Sequence, residues 1–111
     1  MTDPLKIDFA GVEAAIIQLQ ESDEKIGWLR GQVDYLDSDI KTAKAAVFLE
    51  AEGSVEARKA ASEVDFNVCA LYVKRADAMT AYGNCAGHRQ TLGMLIDLYR
   101  TQTSAKKMGI L

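Results

Sequence analysis

An aliphatic residue recurs at every seventh position in the first half of the chain, from Val12 to Val47. A second row follows three positions later in each repeat, and it begins at Ala15 and ends at Glu50. Together they form the a and d positions of a heptad repeat, by which helices pair along an apolar stripe. We call these two rows the first seam and expect another helix to cover it. The residues expected to pack there are Leu19, Ile26, Leu29, Val33, Leu36, Ile40 and Val47.

Turn and capping residues divide the chain into three predicted helices. Gly53 follows the heptads and can adopt the left-handed conformation that ends helices. Ser54 can cap a short helix, and Asp65 can cap a long one. The predicted helices span about residues 8–52, 55–63 and 66–102.

The first helix is expected to be continuous, although Ser22 followed by Asp23 could begin a new helix there. No segment has the alternating pattern of a strand. The predicted fold is therefore all-α, with residues 1–111 forming one domain. Its architecture is a long antiparallel helical hairpin, similar to a coiled coil, with a short middle helix and a tendency to oligomerise.

The last helix has two stretches of different character. Its first part carries a stripe of small or mixed residues, which we expect to be buried against a closely approaching backbone. This stripe contains Cys69, Tyr72, Val73, Ala76, Met79, Thr80, Gly83 and Gly87. The second part becomes bulky and aliphatic at Leu92, Leu95, Ile96 and Tyr99.

Charges beside the first seam alternate in sign at Asp23, Arg30, Asp37 and Lys44. Two antiparallel copies of the first helix would pair Asp23 with Lys44 and Arg30 with Asp37 in a single register. Each exposed pair contributes only about 0.3–0.5 kcal/mol, so charge selects the orientation without holding the helices together. The competing partner is the last helix of the same chain, and a hairpin that also self-associates satisfies both interpretations.

The net charge of −3 is unevenly distributed. Residues 1–53 carry 5 basic and 11 acidic residues, whereas residues 54–111 carry 8 and 5. Because the two halves carry net charges of opposite sign, the first interpretation is that their helices pack together with complementary charges. A second interpretation gives the basic half an anionic ligand such as nucleic acid.

The sequence predicts a protein without catalytic, metal or cofactor sites. Cys85 and His88 supply only two of the four ligands that a zinc site needs, and no nucleotide or hydrolase motif is present. Cys69 and Cys85 lie about 24 Å apart along one helix, which is too far for a disulfide within the chain. Two unpaired cysteines are typical of a protein in a reducing cytoplasm. Neither a signal peptide nor a membrane span is expected.

Basic residues form small groups that could contact phosphates. Arg58 and Lys59 lie in the short middle segment, and Lys74 and Arg75 lie on the last helix. Closure of the hairpin would bring Lys41 and Lys44 near the first pair. A solubilising face is the plain alternative, but as a set these side chains predict a nucleic-acid contact. The candidate residues are Arg58, Lys59, Lys74, Arg75, Lys41 and Lys44.

The segment from Ala46 to Thr101 resembles small bacteriophage helical proteins of the UvsY recombination-mediator type. The resemblance is carried by the run FLEAEGSVEARKA from Phe48, and by the helix that Asp65 opens and that ends Ile96-Asp-Leu-Tyr-Arg-Thr101. It implies an oligomer that binds single-stranded DNA and helps to load a RecA-like recombinase in place of the single-strand-binding protein. It also implies that Arg58 and Lys59 contact DNA. The expected location is the cytoplasm of the host cell.

The leading functional hypothesis is therefore an oligomeric phage recombination accessory that bridges single-stranded DNA and a recombinase or single-strand-binding protein. An alternative is a small phage protein that binds and inhibits a host protein without touching DNA. The acidic residues Asp34, Asp37 and Asp39 would then imitate nucleic-acid charge. A third possibility is a coiled-coil spacer without a ligand.

Overall fold

The chain folds into three helices, as the sequence predicts. The computed structural model describes residues 7–109, and the outer ends of the predicted domain, residues 1–6 and 110–111, lie outside the described residues. The helices are α1 (Phe9–Glu50), α2 (Val55–Val64) and α3 (Phe66–Lys107), and residues 7–109 contain no strand. The all-α hairpin with a short middle helix is confirmed. The last helix is five residues longer than the expected end near Gln102.

Capping residues fix where the helices begin. Asp8 accepts a hydrogen bond from the backbone N–H of Gly11 (2.7 Å) at the start of α1. Ser54 accepts one from Ala57 N–H (3.1 Å) at the start of α2. Each bond satisfies a backbone donor that the first helical turn leaves unpaired. Gly53 has φ +107°, which a residue with a Cβ rarely adopts, so the chain can turn out of α1 at this point.

The described chain divides into two compact units, each containing part of α1 and part of α3. The central unit contains residues 27–83 and includes α2. In it the two long helices run antiparallel and bury Leu29, Val33, Ile40 and Val68, the last with 0% exposure. Ser62 of α2 is also buried, and its hydroxyl donates to the carbonyl oxygen of Lys59 (2.7 Å), so this buried hydroxyl is satisfied.

The terminal unit contains the described residues up to Ile26 and those from Asn84 onward. Its buried apolar residues are Val12 and Ala15 from α1 and Leu92 from α3. Helix α1 continues through Ser22 without a break. The Ser22 hydroxyl donates to the carbonyl oxygen of Leu19 (3.0 Å), a bond within the helix, and so does not start a new helix.

The first seam lies on the side of α1 that contacts α3. All of its aliphatic residues are buried or half-buried in the single chain, and only Glu50 at its end is exposed. The helix that covers the seam is therefore the chain's own α3. Oligomerisation stays a prediction, and it requires a different surface from this one.

The small-residue stripe predicted to be buried on α3 is exposed instead, with Val73 at 63% and Met79 at 41%. The row that faces α1 lies one position earlier in sequence. It contains Val68, Leu71, Arg75, Ala78, Tyr82, Cys85, Arg89, Leu92, Ile96 and Tyr99. The expectation was wrong because two arginines interrupt this inner row, which makes the outer row look more apolar.

Candidate nucleic-acid interface

Arg75 is one of the six basic residues predicted to contact nucleic acid, and it is half-buried in the central unit. Its Nε donates to a carboxylate oxygen of Asp37 on α1. The side chains remain 37% and 48% exposed, respectively. This pair links the two long helices, so the charge of Arg75 is already matched within the chain.

Arg58 also has partners within the chain. Its Nε donates to the backbone carbonyl oxygen of Phe48 (2.9 Å), near the end of α1. The guanidinium carbon lies 4.5 Å from the centroid of the Phe48 ring, a distance suited to a cation–π contact. Arg58 therefore holds α2 against the end of α1.

Lys44 and Tyr72 form the contact most relevant to nucleic-acid binding. The ammonium group of Lys44 lies 5.9 Å from the centroid of the Tyr72 ring. Tyr72 itself remains 45% exposed, although the sequence suggested that it would be a core residue. A half-exposed ring beside a cation offers a base both a stacking surface and a charge for the adjoining phosphate.

Lys41, Lys59 and Lys74 are exposed. Lys41 lies one turn before Lys44 on α1, and Lys74 lies two residues after Tyr72 on α3. The six predicted residues thus divide into two sets of three. Arg58, Arg75 and Lys44 have contacts inside the central unit, whereas the three exposed lysines extend toward solvent.

The acidic residues of α1 that were expected to pair with a second copy have partners in their own chain. Asp37 pairs with Arg75 in the central unit, and Asp23 pairs with Arg89 (2.7 Å) in the terminal unit. The proposed acidic cluster of Asp34, Asp37 and Asp39 is therefore partly neutralised. Both acidic members of the alternating row on α1 thus pair with arginines of α3, and Lys44 lies over the Tyr72 ring.

Exposed aromatic residues on α1 are a feature that the sequence interpretation did not use. Trp28 is 63% exposed and Tyr35 is 65% exposed. They lie seven residues apart, on the same side of α1, and Leu49 at 74% occupies an equivalent heptad position. The signal was present in the sequence as a third seven-residue row outside the first seam.

Metal and membrane features are absent from the part of the chain that the structure describes. Cys69 is an exposed free thiol and Cys85 a half-buried one. His88 Nε2 lies 3.2 Å from Gln18 Oε1. Residues 7–109 hold no group of three or more potential metal ligands. None of the three described helices combines the length and apolar character that crossing a bilayer requires.

No family model matches the sequence, and no curated protein or solved structure is significantly similar to it.

Proposed function

We propose that this protein is a non-catalytic recombination mediator that holds single-stranded DNA and a RecA-like recombinase or single-strand-binding protein within an oligomer. The resemblance of residues 46–101 to mediators of the UvsY type suggests this function. The observation that carries it is the pairing of Lys44 with a half-exposed Tyr72 ring in the central unit.

The chemistry of this contact fits single-stranded DNA better than duplex DNA. Unpaired bases can stack on an exposed aromatic ring, and such stacking contributes about 1–3 kcal/mol per base. Lys44 would remain close to the phosphate of a base that stacks on Tyr72. Lys41 and Lys74 lie close to these two residues in sequence and add exposed charge.

Binding by one chain is expected to be weak. The central unit contains 7 basic and 9 acidic residues. Two of the basic residues, Arg58 and Arg75, already contact other groups within this unit. Several copies on one DNA strand would add their modest affinities through high effective concentration. The proposed mediator therefore depends on assembly.

Fluorescence anisotropy with labelled oligo-dT at low salt tests the proposal. We expect binding that weakens as salt rises, because each neutralised phosphate releases counterions. The slope of log K against log salt is expected to be at most about −3 per chain, since Lys41, Lys44, Lys59 and Lys74 can neutralise at most four phosphates.

Two matched variants locate the binding site. Tyr72→Ala should weaken binding about tenfold, whereas Tyr35→Ala, which removes another exposed tyrosine of the central unit, should have little effect. Lys44→Glu should weaken binding and flatten the salt dependence. Salt-independent binding, or equal effects of the two tyrosine variants, would argue against this site.

A second candidate function is the binding and inhibition of a host protein, and the exposed Trp28 and Tyr35 favour it. Tryptophan and tyrosine are enriched among residues that dominate protein interfaces. This function predicts that Trp28→Ala abolishes capture of one stoichiometric host protein from bacterial lysate. Under the same hypothesis, neither the wild-type protein nor the variant binds oligo-dT.

A further inference from the structure

The outer face of α3 in the central unit carries a second heptad pattern, which we call the second seam. Its members are Phe66, Cys69, Val73, Ala76, Thr80 and Gly83, and all six are exposed. The exposure reaches 83% for Phe66 and 63% for Val73. The spacing alternates between three and four residues, as in a helix that pairs with another helix. Because α3 covers α1 with its opposite side, this face does not take part in the packing of α3 on α1. Its Cys69 thiol donates to the carbonyl oxygen of Glu63 (3.5 Å).

We propose that the second seam pairs with the second seam of another copy of this chain, with the two α3 helices antiparallel. The proposal deepens the proposed function, which requires assembly, by identifying the surface through which two copies meet. The argument rests on how the side chains of the seam complement one another in size and charge.

Size complementarity selects the antiparallel register. If Val73 lies opposite Ala76 of the other copy, the same register brings Phe66 opposite Gly83 and Cys69 opposite Thr80. The largest side chain then meets the position without one. No heavy atom outside the helix's own backbone lies within 4 Å of where a Cβ of Gly83 would be, so room for the ring exists there. A parallel pair would instead place ring against ring and glycine against glycine.

One flank of the seam agrees with the same register. There Lys74 would approach Asp77 of the other copy, and the two-fold symmetry repeats this pair. The antiparallel pairing thus adds opposite charges at its edge.

The size of the surface predicts a weak dimer. From Phe66 to Gly83 the seam is about 27 Å long. One helix face of that length covers less than the roughly 800 Å² per partner of a standard stable interface. We therefore expect monomer and dimer to exchange, with the dimer fraction rising with protein concentration.

Site-directed disulfide trapping tests the register directly, in the absence of DNA. In a Cys85→Ser background, Thr80→Cys places a thiol opposite Cys69 of the second copy. Diamide, which accepts the two electrons released by the two thiols, should convert most of this variant to a covalent dimer. Peptide mapping should find a link between positions 69 and 80. The two positions cannot join within one chain, because they lie about 16 Å apart along the helix.

Ser38→Cys in the same background is the matched control, because it adds an exposed thiol on α1 and should give only slow, unspecific crosslinking. A second measurement uses the full chain without crosslinking. Val73→Lys should abolish the concentration-dependent dimer in sedimentation equilibrium and leave helicity unchanged, since Val73 is exposed in the single chain.

Equal trapping rates for the Thr80→Cys and Ser38→Cys variants would overturn the proposal, as would a dominant link between two copies of Cys69. Retention of the dimer in Val73→Lys would do the same. Because none of these readouts uses DNA, failure here differs from failure of the anisotropy experiment.

Discussion

Arg89 Nη2 lies 2.7 Å from a carboxylate oxygen of Asp23, which joins the inner row of α3 to the flank of the first seam. The same guanidinium donates through Nη1 to the carbonyl oxygen of Leu19 (2.9 Å) and to the hydroxyl of Ser22 (2.7 Å). Ser22 is the polar residue that interrupts the d positions of the seam. The polar residue in the apolar stripe of α1 therefore has a hydrogen-bond partner, the Arg89 side chain of α3.

Arg89→Ala should destabilise the protein by about 2 kcal/mol, because it removes hydrogen bonds that a half-buried charged group makes to three acceptors. Urea unfolding followed by circular dichroism measures this change. Arg100→Ala on the exposed side of α3 is the control and should change the free energy of unfolding by less than about 0.5 kcal/mol. Equal effects of the two substitutions would mean that the Arg89 contacts contribute nothing specific.

Ile40→Ala should lower the free energy of unfolding by about 3 kcal/mol, because Ile40 is only 5% exposed in the central unit. The control is Leu49→Ala, which truncates an aliphatic side chain on α1 that is 74% exposed and should have an effect below about 0.5 kcal/mol. If Ile40→Ala changed only the mass of an assembly and not the unfolding free energy, the first seam would lie between chains.

Two glycine substitutions should have opposite signs. Gly53→Ala should destabilise the protein by about 1–2 kcal/mol, since its φ of +107° strains any residue with a Cβ. Gly87→Ala should stabilise it by up to about 1 kcal/mol, because Gly87 lies inside α3 with open space around its Cβ position. Thermal denaturation measures both variants, and a stabilising Gly53→Ala would contradict the role of Gly53 in ending α1.

Local rules predicted most of the fold. The heptad rows identified α1 because burial of an apolar stripe requires that spacing, and Gly53, Ser54 and Asp65 marked the ends of helices through backbone conformation and capping. The inner face of α3 was not predictable in the same way. Arg75 and Arg89 lie on that face because their partners are on α1, and only the tertiary structure brings those partners within reach.

The candidate site was predictable in residue type but not in geometry. The basic residues were apparent from composition, yet nothing in the local sequence shows that Arg58 contacts the Phe48 ring or that Arg75 pairs with Asp37. Tyr72 was assigned to the core because apolar spacing does not distinguish the two sides of a helix when both carry apolar residues. Its exposure beside Lys44 emerged only from the structure.

A charge exchange between Asp37 and Arg75 is the most direct test of the claim that α1 pairs with α3 of its own chain. Asp37→Arg and Arg75→Asp should each destabilise the protein by about 1–2 kcal/mol, because each variant brings like charges together at a partly buried position. The double variant should recover at least about 1 kcal/mol of the combined loss in urea unfolding at low protein concentration. Additive losses without recovery would contradict the claim and would indicate that Asp37 pairs with a residue of another chain.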